Sequence, residues 1–313
     1  MATFMIPDGV YVTMVTPFTK DNKIDYDAVA RLLQWYANHN VDGIFAICQS
    51  SEIFFLSFEE RLALLRFILE NRPKGMTIIA SGHTADDIHT QTREAVAFVE
   101  AGPDAYVFIS NRFAKEDESD SVFLRNMKTV VGALDGVALG IYECPYPYKR
   151  LMNPTVLKEL IATGQFKFLK DTSCDLDMIR AKLEVMTGTG FKLFNANSAT
   201  FLESLKLGCS GFSGVMANFH PEFYHWICRN FLKEPQRAQA VQDFIGFLSV
   251  VECQNYPVNA KYYLGTLEKI GFGYYSRAKD SSAFTLNRRM EIEQMWNLTQ
   301  LWKKQFEEWS TLS

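Results

Sequence analysis

Eight short apolar runs recur through residues 1–235, each followed by an amphipathic segment, and that alternation constrains the fold more than any other feature. The runs are VYVTMVTP (10–17), DGIFAIC (42–48), TIIASG (77–82), AYVFIS (105–110), ALGIYEC (138–144), FKFLKDT (166–172), FKLFNAN (191–197) and GFSGVM (211–216). Runs of this length between turn residues suit buried strands. The intervening segments have helical spacing. Residues 25–40 place Val29, Leu32, Leu33 and Tyr36 on one face, and 57–71 open S-F-E-E with Ser57 as an N-cap. Residues 153–163 begin Asn-Pro, an N-cap followed by proline at the first helical position. A doubly wound sheet also alternates strand and helix, but eight evenly short units favour closure into an α/β (β/α)8 TIM barrel, typically ~250 residues long.

After Glu234-Pro235 the pattern changes. Residues 236–313 show no strand and predict a C-terminal helical extension of three helices, near 236–252, 257–270 and 284–309. The last carries Trp296, Trp302, Phe306 and Trp309, an aromatic stripe expected to be core or subunit contact. The expected division is a catalytic barrel over 1–235 and a three-helix region over 236–313.

Composition narrows the function. With 48% hydrophobic and 22% charged residues and a net charge of −4, the chain has ample core and no basic face for nucleic acid. No apolar run is long enough to span a bilayer, and the N-terminus lacks a basic leader with a small-residue cleavage site. Six cysteines without CxxC pairing suggest free thiols and a reducing cytoplasm. Five histidines without metal-ligand spacing indicate no metal site, and no glycine-rich phosphate motif points to a nucleotide.

In such a barrel, chemistry sits at the C-terminal strand ends. Phe166, Phe168 and Lys170 share one strand parity, so an ammonium points the same way as two phenyl rings. Burial there favours the neutral amine, a nucleophile toward carbonyls. Free lysine titrates near ~10.4, and catalytic lysines are commonly tuned to about 7–8. On the neighbouring run Tyr142 stands above Ala138 and Gly140, a small layer that leaves room for a ligand, and its phenol can both donate and accept a proton. A strand-end lysine paired with Asp171, beside a core tyrosine, is the alternative that spacing alone leaves open. Cys48 reads as a buried strand-end thiol.

Taken in order, GVYVTMVTPF, ASGHTADDIHTQTREAVAFVEAGPDAYVF, GIYECP, FKFLKDTS, LGCSGFSGVMANFHPE and NYPVNAKYYLGTLEKIGFG resemble the dihydrodipicolinate synthase / N-acetylneuraminate lyase family of pyruvate-dependent class I aldolases. The resemblance implies Lys170 as the imine-forming residue and Tyr142 as its proton shuttle, with no cofactor beyond that covalent imine. It implies a small 2-keto acid and an aldehyde as substrates, and a homotetramer or homodimer. Ser50 matches the residue that holds the keto-acid carboxylate, and Ser213 falls in the eighth-strand piece and joins the expected substrate-binding set.

Departures from the family pattern matter as much. The carboxylate loop, usually Gly-Thr/Ser-Thr-Gly-Glu, here reads Cys48-Gln49-Ser50-Ser51-Glu52. Gln49 stands where a hydroxyl normally passes protons to the tyrosine, and Ser51 is a candidate substitute hydroxyl. The synthase's relay tyrosine would fall near Asn111-Arg112, its aldehyde-binding arginine at Pro147, and the lyases' acidic residues at Asn197-Ser198-Ala199. Instead, Glu143 follows the tyrosine, and Arg112, Lys149 and Arg150 are expected near the mouth. One of these cations would bind an anionic group, with Glu143 acting on a hydroxyl or as acid/base; solvated loop charges remain the alternative. The expectation is a lyase on pyruvate or a related 2-keto acid. Its alternatives are a sugar-acid dehydratase or hydratase-aldolase, and a catalytically reduced keto-acid-binding protein.

Overall fold

The computed structural model describes residues 5–134 and 136–311, with side chains to 306 in the last helix. Eight parallel strands close in sequence order. β1 (Gly9–Thr13), α1 (Tyr26–Asn38), β2 (Gly43–Ala46) and α2 (Phe58–Glu70) form the first two units. β3 (Thr77–Ala80), α3 (Ile88–Glu100), β4 (Ala105–Ile109) and α4 (Asp120–Val131) follow. β5 (Leu139–Tyr142), α5 (Pro154–Ala162), β6 (Phe166–Asp171) and α6 (Leu176–Met186) continue the alternation. β7 (Lys192–Asn195), α7 (Phe201–Lys206), β8 (Gly211–Phe212) and α8 (Pro221–Asn230) complete it, with β8 pairing back onto β1.

Local chemistry fixes the helix starts. The Ser57 hydroxyl accepts from the Glu60 N–H at 3.2 Å while the Glu60 carboxylate accepts from the Ser57 N–H at 3.0 Å, a reciprocal cap on α2. Asn153 accepts from the Val156 N–H at 2.9 Å and Pro154 starts α5. On α1, Val29, Leu32, Leu33 and Tyr36 are fully buried against the barrel.

Several strands are shorter than their apolar runs. The run 10–17 yields a strand ending at Thr13, and 211–216 yields only Gly211–Phe212. The surplus residues peel off the strand ends into buried turns such as Gln49–Ser51 and Val215–Asn218. These turns rim the mouth of the barrel.

Aromatic rings fill the barrel beneath that mouth. Phe168 stacks on Phe194 at 4.7 Å between centroids, Tyr11 meets Phe194 edge-on at 4.9 Å, and Phe45 meets Tyr142 edge-on at 5.5 Å. The small layer expected to leave ligand space under Tyr142 is occupied. A Cβ on Gly140 would come within 2.9 Å of the Phe168 carbonyl and 3.1 Å of Val107. Gly140 admits its neighbours rather than a ligand, and open space begins one layer higher.

The extension comprises α9 (Pro235–Leu248), α10 (Val258–Tyr262), which runs on as a π-helical turn over Tyr263–Leu267, and α11 (Leu286–Thr311). Trp296 donates to Glu268 at 2.7 Å, and Trp302 stacks on Phe244 at 4.6 Å. Phe306 packs edge-on against Phe223 and Trp226. These three aromatics are therefore packed within the chain; the Trp309 side chain lies outside the described residues. Among the described residues no helix is long and apolar enough to cross a membrane.

Candidate active site

Lys170 lies at the C-terminal end of β6, in register with Tyr142 on β5 and Phe194 on β7. Its side chain rises from the aromatic floor, with Nζ 4.4 Å from the Tyr142 ring centroid and 5.7 Å from that of Phe45. Among the described residues the amine has no hydrogen-bond or ion-pair partner. Burial lowers its pKa to about 8, against weaker upward pulls from Cys48, Cys144 and Glu252. The neighbouring Asp171 does not pair with it. Strand alternation turns that carboxylate outward, where it meets Lys182 of α6 and the Ser173 hydroxyl at 2.7 Å.

The turn after β2 faces Lys170 across the mouth. The Tyr142 hydroxyl donates to the Gln49 side-chain oxygen at 3.2 Å, and the Cys144 thiol to the same atom at 3.5 Å. Burial holds the Tyr142 phenol well above its ordinary value, so it stays protonated. Ser50 and Tyr256 both line the cavity. Ser51, the candidate substitute hydroxyl, is turned away. Its hydroxyl donates to the Met14 carbonyl at 2.6 Å and accepts from the Cys48 N–H at 3.2 Å, so it braces the turn. Glu52 closes the turn in a left-handed conformation, φ 61°. Its buried carboxylate accepts from Lys261, the Ser276 hydroxyl and the N–H groups of Arg277 and Ala278. That cluster ties the segment after α10 to the barrel mouth.

The resulting cavity has a volume of about 440 Å³. Lys170, Tyr142, Gln49 and Ser50 open onto it, and so do Lys149 and Asn197. Sequence reasoning missed Tyr256, Glu252 and Lys279, which reach the same cavity from outside the strand ends. The signal for Tyr256 was present in NYPV, where it read as part of a helix motif.

Several other expected substrate contacts also lie away from the cavity. Glu143 follows Tyr142 and so faces outward, fully buried. Its carboxylate accepts from Lys182 and from the N–H groups of Met152 at 2.7 Å and Thr172 at 2.9 Å. Arg112 donates to the Thr84 carbonyl and pairs with Asp86, in a separate surface depression. Ser213 is fully buried outside the cavity lining, and its hydroxyl has no partner among the described residues. Arg150, too, is committed to Asp120 and to the carbonyls of Lys115 and Glu118.

The sequence profile of the dihydrodipicolinate synthetase family matches residues 6–258. The chain belongs to that family. It is 24% identical over 223 residues to 4-hydroxy-tetrahydrodipicolinate synthase of Clostridium perfringens, spanning 71% of this chain and 75% of the relative. The fold is similar to that of a dihydrodipicolinate synthase from Bacillus anthracis, with TM-score 0.85 and 17% identity over 94% of this chain and 99% of that one. It is also similar to a chloride-inhibited dihydrodipicolinate synthase from Acinetobacter baumannii solved with pyruvate, with TM-score 0.84 and 20% identity over 94% and 99% of the two chains.

The dihydrodipicolinate synthetase family comprises pyruvate-dependent lyases of class I aldolase fold that work through a Schiff-base lysine without a cofactor. In this chain the Tyr142 hydroxyl donates to the Gln49 side chain in the turn after β2. Among the described residues no cluster of three or more metal-ligating side chains occurs.

Proposed function

We propose that the protein forms an imine between Lys170 and pyruvate or a related 2-keto acid, and uses it to make or break a carbon–carbon bond with an aldehyde. The observation that carries this reading is the Lys170 amine itself, desolvated by rings, without an ion-pair or hydrogen-bond partner among the described residues and open to a cavity. With a pKa of about 8, roughly a tenth of the amine is neutral at pH 7, against under ~0.1% for a lysine at ~10.4.

The neutral amine attacks C2 of the keto acid to give a carbinolamine. Loss of water, with Tyr142 supplying the proton, yields the protonated imine. That cation acidifies C3, and loss of a C3 proton gives the enamine. The enamine attacks the aldehyde carbonyl while the new alkoxide takes up a proton. In the reverse direction the C4 hydroxyl loses its proton as the C3–C4 bond breaks to the aldehyde and the enamine. Ser50 would hold the carboxylate from the turn opposite, at a site preorganised by Ser51 and Glu52.

Gln49 favours a second reading. An amide oxygen accepts the Tyr142 proton donor but cannot pass a proton on as a hydroxyl does. A keto-acid-binding protein with reduced turnover has the same imine chemistry. Borohydride reduction with pyruvate, followed by peptide mass mapping, tests both. An adduct on Lys170 is expected, and its absence with every 2-keto acid tried would remove the imine reading. An adduct without turnover across a panel of aldehydes would establish the binding protein.

A further inference from the structure

The turn over 249–254, between α9 and α10, brings an acid to the cavity that the imine chemistry does not use. Glu252 is half-buried on the wall, within electrostatic reach of Lys170. The other acid on the lining, Glu52, is spent on Lys261, Ser276 and two backbone N–H groups. Lys149 donates to the Thr172 carbonyl at 2.9 Å. Among the described residues, the Glu252 carboxylate has neither a hydrogen bond nor an ion pair. Burial pushes its pKa up, and the Lys170 charge pulls it back down.

An ionised carboxylate offers about four acceptor sites and no donor. A ligand that displaces water from it must bring donors, or the group is left unsatisfied at a cost. A second carboxylate at that depth would bring like charge instead. The keto-acid end of a ligand is fixed by Lys170 and the turn at Ser50, so the remainder of the cavity belongs to the reaction partner. Glu252 lines that cavity and has no partner of its own among the described residues.

We propose that Glu252 selects the partner, accepting hydrogen bonds from hydroxyls on its chain and disfavouring partners that carry a carboxylate there. The assignment rests on the imine reading above. It makes a polyhydroxylated aldehyde the fitting substrate class, and a 2-oxo acid with a hydroxylated tail the fitting condensation product.

Borohydride trapping tests this without requiring turnover. Half-saturating concentrations for adduct formation on Lys170 are measured with pyruvate, with 2-oxo-3-deoxygluconate (hydroxylated tail) and with 2-oxoglutarate (distal carboxylate). Each value is divided by that for pyruvate in the same protein. The wild type is expected to favour the hydroxylated probe over 2-oxoglutarate. In Glu252→Ala that preference should fall by about 10- to 100-fold, the range of one hydrogen bond to a charged group. Glu252→Gln, which keeps an acceptor oxygen and loses the charge, should fall between the two through better capture of 2-oxoglutarate, and it carries the comparison if the alanine variant does not fold. An unchanged preference in the variants overturns the proposal. So does a wild type that favours 2-oxoglutarate. No pyruvate adduct on wild-type Lys170 is a different result, since it breaks the imine reading on which the proposal stands.

Discussion

Lys170 and Lys182 lie twelve positions apart, both buried, and their surroundings push them in opposite directions. Lys182 reaches from α6 to the outer face of the barrel and donates to both Glu143 and Asp171. Burial alone would lower its pKa, but the two carboxylates outweigh burial and raise it. Lys170 points inward over aromatic rings, forms no ion pair among the described residues, and is lowered to about 8 despite a weak upward pull from Glu252. One strand sets both environments, because β6 sends Lys170 in and Asp171 out. Burial therefore makes a lysine reactive only where the fold withholds a direct ion-pair partner. Where the fold supplies two, the same burial makes a structural tie.

Exchanging each lysine for methionine is the most forceful way to break this comparison. Lys170→Met is expected to abolish the borohydride adduct while changing stability by no more than about 1 kcal/mol, since an unpaired buried amine gives way to an apolar chain of similar length. Lys182→Met leaves Glu143 and Asp171 facing each other unpaired, and is expected to cost about 3–5 kcal/mol in denaturant unfolding. The adduct should persist in whatever fraction stays folded. If Lys182→Met is the milder change in stability, the contrast between the two environments is wrong.

Acidity separates the two regions by the sign of their pH dependence. Adduct formation should rise with pH through about 8 and level off above it, because only the neutral Lys170 amine attacks. The depressed pKa means the folded chain binds fewer protons than the unfolded chain between about 8 and ~10.4, so Lys170 makes stability rise with pH there. Glu143 acts in the other direction. Burial, then repulsion from Asp171, pushes its carboxyl up to about 7 despite Lys182. A raised carboxyl contributes stability that is present below its unfolded value and lost as pH rises through about 7. Glu143→Gln should flatten the fall in unfolding free energy between about pH 4.5 and 7, measured by denaturant titrations at several pH values. A slope unchanged by the substitution would show that Glu143 is ionised throughout that range.

Strand parity also explains what the sequence revealed and what it hid. The barrel was legible because eight apolar runs alternate with capped amphipathic helices, and strand ends were blurred because the apolar pattern continues into buried turns. Lys170 and Tyr142 were legible as an inward pair from their alternation with Phe168 and Gly140. The same rule, applied one residue further, sends Glu143 outward, so its place beside Lys182 was recoverable from sequence. Arg112 was not: nothing in Asn111-Arg112 says that the guanidinium folds back onto Thr84 and Asp86. Glu252 and Lys279 were hidden for another reason. They reach the cavity from turns of the helical extension, and long-range docking through Glu52 and Lys261 has no periodic signature.

The smallest expected effect concerns how protons leave the two regions. Around Lys182 none need move, since the tie works with its ammonium charged. Around Lys170 protons must come and go at every imine step, yet the Tyr142 hydroxyl ends on the Gln49 amide oxygen. Ser51 cannot relieve this, because its hydroxyl is held by the Met14 carbonyl. Gln49→Thr restores a group that both accepts and donates. It should leave adduct formation on Lys170 in place and raise aldol turnover by at most about tenfold, a fraction of the ~10²–10⁴ that a positioned acid–base group supplies. Rates measured with one aldehyde at fixed pH in both proteins decide the matter. If turnover is unchanged, Tyr142 exchanges its proton through the open cavity, and the amide at position 49 holds the phenol in place without limiting the chemistry.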